Sequence, residues 1–222
     1  MAQKTLRLIL GDQLNLQHSW FHKADDSVLY VLMEVKQEQD YVKHHIQKIV
    51  GFFAAMRNFA TQLERKGHKV IYLKLDDAHN EQTIGGNLNK LILSHKISRF
   101  EYQLPDEYRL GEQLKAFCEK TDIESASADT EHFYTNRSDV GDFFDGKKQF
   151  VMENFYRQMR VDHGILMNGK SPAGGQWNFD KRNRQKYDGK SPLEEPRVFQ
   201  HDVSSLKEMV DKMSISYFGE ID

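Results

Sequence analysis

Cysteine is nearly absent from this sequence, because Cys118 is the only one among 222 residues. A single thiol excludes an internal disulfide, a cysteine-rich zinc site and an iron–sulfur cluster held by several thiolates of this chain. Long apolar runs are missing too, since none approaches the roughly 18 residues that a membrane helix needs. No secretory apolar region follows Met1. These absences predict a soluble globular protein of the reducing cytoplasm, with no membrane partner.

A strong excess of either sign of charge is also lacking. The formal net charge is -2, so the molecule as a whole is not a strongly basic nucleic-acid binder. The charge is nevertheless segregated along the chain. Residues 154–190 contain eight Lys and Arg against three Asp, a local net charge of +5 that leaves -7 for the rest. Basic residues therefore concentrate in the C-terminal third.

The first 130 residues alternate two hydrophobic periods. Five short apolar runs are typical of parallel strands, at 5–10, 27–33, 69–74, 100–104 and 122–127. The segments between them show helical spacing, most clearly from Tyr41 to Arg65, where Gly67 is placed to cap the helix. Strands that alternate with helices predict an α/β fold, an open and doubly wound parallel sheet of about five strands.

Beyond residue 130 the strand pattern ends. Apolar residues between 143 and 167 have helical spacing, 168–175 is rich in loop-forming residues, and 203–213 returns to helix. We therefore expect one domain over residues 1–130, followed by a helical and loop extension over residues 131–222.

Polar residues follow the first two predicted strands. Gly11, Asp12, Gln13 and Leu14 come after the first strand, and Met33-Glu34 ends the second. Ligands of open α/β sheets bind outside the carboxyl ends of the strands, so these residues predict a small-molecule site. No further glycines follow at the spacing of a dinucleotide fingerprint. The pattern alone equally allows a simple strand-to-loop turn and a solvent-facing Glu34.

His44 and Lys48 stand four residues apart near the start of the long helix, where they share a face. Both can therefore point at the same ligand cavity, although a solvated helix face fits the spacing as well. Metal binding is not favoured, because neighbouring histidines on a helix diverge by about 100°. We predict no metal site and no catalytic residue, since the chain shows no P-loop, nucleophile elbow or positioned carboxylate pair.

A glycine-rich loop with interleaved aromatic and basic residues lies in the basic third of the chain. Its candidate contact residues are Trp177, Asn178, Phe179, Asp180, Arg182 and Arg184. Such residues can contact phosphates and a displaced base. They fit equally well a surface that docks on another domain, or a plain surface loop.

Several of these segments, taken in order, resemble one family. They are Gly11-Asp12-Gln13-Leu14, Met33-Glu34, Tyr41 to Lys48 with Ala55 to Ala60, Phe155 to Arg160, and Gly174-Gly175-Gln176-Trp177-Asn178-Phe179-Asp180. The chain resembles the deoxyribodipyrimidine photolyase-related family, which comprises bacterial iron–sulfur cryptochromes and (6-4) photolyases. The likeness spans nearly the whole sequence.

The resemblance implies a two-domain flavoprotein. Its N-terminal Rossmann-like domain would hold an antenna chromophore, here 6,7-dimethyl-8-ribityllumazine, and its C-terminal domain would hold FAD and a four-cysteine 4Fe-4S cluster. Such a protein repairs pyrimidine photolesions in DNA with light, as a (6-4) lyase, or senses blue light. The implied chromophore contacts are Gly11, Asp12, Gln13, Leu14, Met33, Glu34, His44 and Lys48.

The resemblance also implies that the flavin domain is missing from this chain. Residues 199–218 resemble the linker toward that domain, and one cysteine cannot ligate the cluster. We expect a monomeric chromophore-binding portion without repair activity of its own, whose partners are the flavin domain and, through it, damaged DNA. The alternative is a non-catalytic nucleotide-binding or regulatory module of Rossmann-like fold.

Overall fold

The computed structural model describes residues 3–180, 184, 186, 189 and 195–221. The chain forms two compact units. The first comprises Met1–His132 together with His201–Asp222, and the second comprises Phe133–Gln200.

A five-stranded, all-parallel sheet forms the centre of the first unit, with the strand order β4-β2-β1-β5-β6. Its strands are β1 (Thr5–Leu8), β2 (Val28–Met33), β4 (Lys69–Leu73), β5 (Arg99–Gln103) and β6 (Glu124–Ala128). Helices connect successive strands after β2: α2 (Ile46–Arg65), α3 (Ile84–His95) and α4 (Tyr108–Lys120), with a short α1 (Gln37–Asp40) before α2. The predicted α/β fold with about five parallel strands is confirmed.

Apolar cores cover the two faces of the sheet. Tyr30 and Leu32 of β2 face one core, which includes the buried residues of α2. Leu6 and Leu8 of β1 face the other, which includes buried residues of α3 and α4. Strands buried on both faces require nearly continuous apolar sequence, which explains why the strand runs stood out from the polar segments around them.

The long helix α2 begins later and ends as predicted. Its N-cap is His45, which has an extended backbone conformation. The Nδ1 atom of the His45 imidazole accepts a hydrogen bond from the Gln47 amide. At the other end Gly67 has a φ of +88°. The amides of Gly67 and His68 donate to the carbonyls of Glu64 and Leu63, which is the Schellman arrangement that favours glycine. The helix predicted from Tyr41 therefore starts five residues later.

Residues 201–221 return to the first unit. Helix α7 (Ser204–Lys212) buries Leu206, Met209 and Val210 in the same core as α2. A two-residue strand β9 (Tyr217–Phe218) then pairs in parallel with β3 (His44–His45), just before α2. The apolar face of this helix makes the segment part of the first unit's core. The sequence had predicted that it belongs to an extension outside that unit. The functional division at residue 130 stays a prediction.

The second unit is built from short elements. They are α5 (Asp139–Phe144), α6 (Met152–Asp162), and a hairpin of β7 (Met167–Asn168) and β8 (Ser171–Pro172). Rings of Phe143, Phe144 and Phe155 pack together at centroid distances of 4.9 to 6.2 Å. Within the described ranges of the whole chain, no helix is long and apolar enough to cross a membrane.

Candidate functional site

A cavity of about 220 Å³ opens at the carboxyl edge of the sheet. Strand β1 lies between β2 and β5, and the chain builds outward from β1 on one side before it crosses to the other. Doubly wound sheets bind ligands at this switch point. The apolar part of the wall comprises Ile9, Leu10, Met33, Val35, Ile49, Phe52, Phe53, Met56, Ile84 and Leu110. The polar part comprises Asp12, Glu34, Glu38, Gln39, Tyr41, His44, Lys48 and Glu107.

Gly11 forms the end of the cavity that follows β1. A Cβ atom at this position would lie 2.9 Å from Cδ1 of Phe52 and 3.1 Å from Sδ of Met56. Both distances are shorter than ordinary van der Waals contacts, so glycine is required for α2 to approach the loop this closely. The sequence predicted a close backbone approach at Gly11, and the group that approaches here is the Phe52 ring.

Asp12 lies beside Gly11 at the mouth of the cavity, where its side chain stays exposed. Desolvation by the surrounding protein raises the pKa of its carboxyl, and the nearby charges of Asp106 and Glu107 add to the rise. A hydrogen bond to its own backbone acts in the opposite direction. The carboxyl is therefore easier to protonate than an ordinary aspartate, and its oxygens offer hydrogen-bond acceptors to the cavity.

Glu34 follows β2 and lies on the same cavity as Asp12, as the adjacent strand ends predicted. Its side chain is fully buried and its carboxylate already has four donors. Arg57 donates from Nε and Nη2 at 2.7 and 2.9 Å, Tyr72 donates its hydroxyl at 2.6 Å, and the Leu75 amide donates at 2.9 Å. Burial and the Glu34 charge raise the pKa of Tyr72, so this phenol stays protonated. A ligand that bonds to the carboxylate competes with these donors, and the predicted ligand contact stays a prediction.

His44 and Lys48 meet at the cavity wall, with Lys48 Nζ 3.2 Å from His44 Nδ1. Desolvation lowers the pKa of His44 and the Lys48 ammonium lowers it further, while a hydrogen bond to the Glu38 backbone opposes both. The imidazole is thus neutral at neutral pH, with Nδ1 accepting from the ammonium. The structure brings the two residues together, but His44 precedes the helix and does not lie within it.

Two predicted site residues lie outside the cavity lining. The amide of Gln13 is buried, accepting from the Leu10 amide at 3.0 Å and donating to the Gln103 carbonyl at 3.1 Å. Leu14 packs against the core beside α2. These contacts hold the loop after β1 onto β5, so the two residues shape the site from behind.

The rim contains residues that the sequence did not single out. Arg109 of α4 donates two hydrogen bonds to Glu38, at 3.1 and 2.7 Å, and its guanidinium lies 4.3 Å from the centroid of the Tyr41 ring. Glu38 and Tyr41 lie shortly after the end of β2. This short distance from a strand end is the one sequence signal that would have placed them at the site. Arg109 lies far along the chain, and no local pattern links it to them.

The loop at Gly174–Asp180 belongs to the second unit and is organised by Arg160. This arginine is buried and donates to the carbonyls of Ile165, Leu166 and Trp177. Its guanidinium also lies 5.2 Å from the centroid of the Trp177 ring. Trp177 is thereby fixed to α6 and half-buried.

The outer part of the same loop is exposed. Phe179 covers Gly174, which has a φ of +75° and would place a Cβ 2.9 Å from the ring. Asn178, Phe179, Asp180 and Arg184 all present surface. Arg182 lies outside the described residues. The exposed residues remain candidates for DNA or interdomain contact.

Comparison with known proteins identifies the family. Residues 7–222 match the model of the deoxyribodipyrimidine photo-lyase-related proteins. The chain belongs to this family. It is 38% identical to a (6-4) photolyase of Agrobacterium fabrum (strain C58) over 183 residues, which cover 81% of the chain. It is 25% identical to the uncharacterized protein R852 of Acanthamoeba polyphaga mimivirus over 191 residues, which cover 82% of the chain.

The two relatives of this photolyase-related protein differ in length. The aligned region spans 36% of the Agrobacterium photolyase and 94% of the mimivirus protein. The chain thus corresponds to a little over one third of the Agrobacterium photolyase and to nearly all of the mimivirus protein.

The cofactors implied by the family fit this photolyase-related chain to different degrees. The cavity has apolar walls that fit a flat ring and several polar lining residues that fit a hydroxylated tail, as a small heteroaromatic chromophore requires. Its volume of about 220 Å³ lies just below the roughly 300–1,000 Å³ that is typical of sites for drug-sized ligands. A 4Fe-4S cluster needs four thiolates, whereas the sequence has Cys118 alone. Among the described residues, no three His, Cys, Asp or Glu side chains are grouped to hold a metal ion.

Proposed function

We propose that the first unit binds the light-harvesting chromophore of a photolyase-related flavoprotein, and that the chromophore is 6,7-dimethyl-8-ribityllumazine. The observation that carries this proposal is the cavity at the switch point between β1 and its neighbours, which combines buried apolar walls with polar groups, among them the exposed Asp12 and Lys48. When bound, the chromophore supplies absorption of near-ultraviolet and blue light. The protein's part is to bind it, orient it and keep water from its ring.

The residues divide this work by their chemistry. Phe52 and Met56 close over Gly11 and provide the flat apolar surface that a bicyclic ring requires. Lys48 donates at the mouth, and Asp12 offers a carboxyl. These polar groups suit the ring carbonyls and the ribityl hydroxyls. We assign Glu34 the role of fixing Arg57 and Tyr72 behind the ring.

We further propose that repair or light sensing requires parts that lie outside this chain. FAD and the iron–sulfur cluster would belong to a separate helical domain, and the first unit would pass excitation energy to it. The exposed residues Asn178, Phe179, Asp180 and Arg184 would contact that domain or the damaged DNA. Their basic surroundings support such a role. A cytoplasmic location is part of the same proposal.

A titration tests the chromophore assignment. The purified chain is titrated with 6,7-dimethyl-8-ribityllumazine while its fluorescence anisotropy is followed, and we expect saturable binding at one site. Lys48→Met should weaken binding by about tenfold, the scale of one lost hydrogen bond to a charged donor. The matched control is Lys43→Met, because Lys43 is exposed and does not line the cavity.

The same preparation decides between the proposal and a nucleotide-binding module. A ligand that binds only the native state raises the melting temperature. If nucleotides raise it and lumazine neither binds nor raises it, the chromophore assignment is wrong and the alternative holds. If Lys48→Met binds lumazine as tightly as the unmodified chain, the chromophore site does not lie in this cavity.

A further inference from the structure

The returning C-terminal segment lies against the wall of the candidate cavity. Strand β9 pairs in parallel with β3, with Tyr217 beside His44 and Phe218 beside His45. His44 lines the cavity and contacts Lys48. One wall of the cavity is therefore held by backbone pairing to a segment about 170 residues away in sequence.

Gly219 follows this pairing and meets His45. Its φ is +78°, and a Cβ atom there would overlap the imidazole of His45. The edge of the same imidazole packs on Phe218, with the ring centroids 5.2 Å apart. Any side chain at position 219 must therefore push the His45 ring away, because the overlapping atoms belong to the outer edge of that ring.

The His45 ring has a second task that this movement would disturb. Its Nδ1 atom accepts from the Gln47 amide at 3.2 Å and caps α2. The cap fixes the first turn of α2, which presents Lys48 to the cavity. His44, the neighbour of His45, contributes the other half of the polar pair at this wall. Displacement of the His45 ring would therefore move both His44 and Lys48.

We propose that Gly219 is a positioning residue of the chromophore site, which acts through His45 to hold the start of α2 and so places His44 and Lys48 at the cavity. The binding role in this inference rests on the proposed function. The positioning itself is a property of the chain without ligand, and it has a readout of its own.

The test uses three variants of the whole chain. Gly219→Ala introduces the overlap with His45. Gly67→Ala is the matched control, because Gly67 also has a positive φ and lies at the other end of α2. An added Cβ there would lie 3.8 Å from its nearest neighbour, the Cβ atom of Ala24. The double variant Gly219→Ala with His45→Ser removes the ring that overlaps, while serine is itself a good N-cap.

Two measurements are made on each variant. The first is the dissociation constant of 6,7-dimethyl-8-ribityllumazine by fluorescence titration. The second is the pKa of the His44 ring by NMR titration without ligand, which reports its desolvation and its distance from Lys48 and Glu38. We expect Gly219→Ala to weaken binding by about tenfold, comparable to the loss of a helix cap, and to move the His44 pKa back toward its ordinary value.

The double variant and the control complete the prediction. Serine at position 45 should restore both the affinity and the lowered His44 pKa, and Gly67→Ala should leave both as in the unmodified chain. The inference is overturned if Gly219→Ala behaves like Gly67→Ala, or if the double variant stays impaired. If the unmodified chain binds no lumazine, the proposed function fails, and the His44 titration alone then decides the positioning role.

Discussion

The guanidinium of Arg57 holds the carboxylate of Glu34 through two hydrogen bonds, 2.7 and 2.9 Å long, behind the candidate cavity. Glu34 is fully buried and Arg57 is partly exposed. The same guanidinium lies 3.1 Å from Sδ of Met209 on α7. One arginine thus connects the end of β2, the long helix and the returning C-terminal helix.

Loss of this arginine should destabilise the first unit. Arg57→Met leaves the Glu34 charge buried with neutral donors only, and we expect the free energy of unfolding to fall by about 3 kcal/mol. Urea unfolding followed by circular dichroism measures it. The control is Arg157→Met, which removes a half-exposed ion pair with Glu153 and should cost less than about 1 kcal/mol. Equal losses in the two variants would contradict the network described for Glu34.

The stability of the chain should fall in mild acid. His44 and His68 both have pKa values lowered by desolvation, so the unfolded chain binds more protons than the folded one between these lowered values and about 6.5. Stability therefore rises with pH through that window and is lost as the pH falls through it.

A histidine variant assigns this loss. His44→Gln should flatten part of the slope of unfolding free energy against pH below about 6.5, and His79→Gln, at an exposed site, should leave the slope unchanged. Unfolding by urea at a series of pH values gives the slope. A slope in His44→Gln as steep as in the unmodified chain would show that His44 is not the desolvated group.

Two glycines near the cavity should respond to alanine in opposite ways. Gly11→Ala brings a Cβ against Phe52 and Met56, so the ring surface must shift and lumazine affinity should fall by about tenfold. Gly51 lies on the exposed side of α2, and a Cβ atom added there would have no neighbour within 4 Å. Alanine therefore fits at this position. It should raise the free energy of unfolding by about 0.5–1 kcal/mol, the helix-propensity difference, without weakening lumazine binding. Reduced affinity in both variants would point to a general effect of changing α2.

Arg160 should control the order of the loop at Gly174–Asp180. Arg160→Lys replaces a planar group that reaches three carbonyls with a single ammonium, which should expose Trp177. In a Trp20→Phe background, the emission of Trp177 should shift to longer wavelength, and chymotrypsin should cut the loop faster at Trp177 and Phe179. Arg184→Lys, at an exposed position, serves as the control. Unchanged emission in Arg160→Lys would show that other contacts hold Trp177.

The sequence predicted the sheet well because burial on both faces forces an unbroken apolar run, as in β2. It also placed Gly11, Asp12 and Glu34 at one edge of the sheet, where they line the same cavity, since parallel strands end at one edge. Their role as ligand contacts stays a prediction. Both predictions depend on short-range patterns and on one general rule of α/β sheets.

The parts that the sequence did not predict depend on distant partners. The sequence predicts that the helix begins at Tyr41, but His44–His45 forms a strand that pairs with Tyr217–Phe218. The carboxylate of Glu34 accepts hydrogen bonds from Arg57 and Tyr72, which come from two other elements. Leu14 follows a polar run and yet faces the core. Such contacts are set by packing in three dimensions, and local periodicity has no information on them.

A crystal structure of the chain with 6,7-dimethyl-8-ribityllumazine tests the central claim most directly. The account predicts density for the ring system beside Gly11, against Phe52 and Met56, with the ribityl tail toward Lys48 and Asp12. Density elsewhere on the chain, or an empty cavity at saturating lumazine, would contradict it.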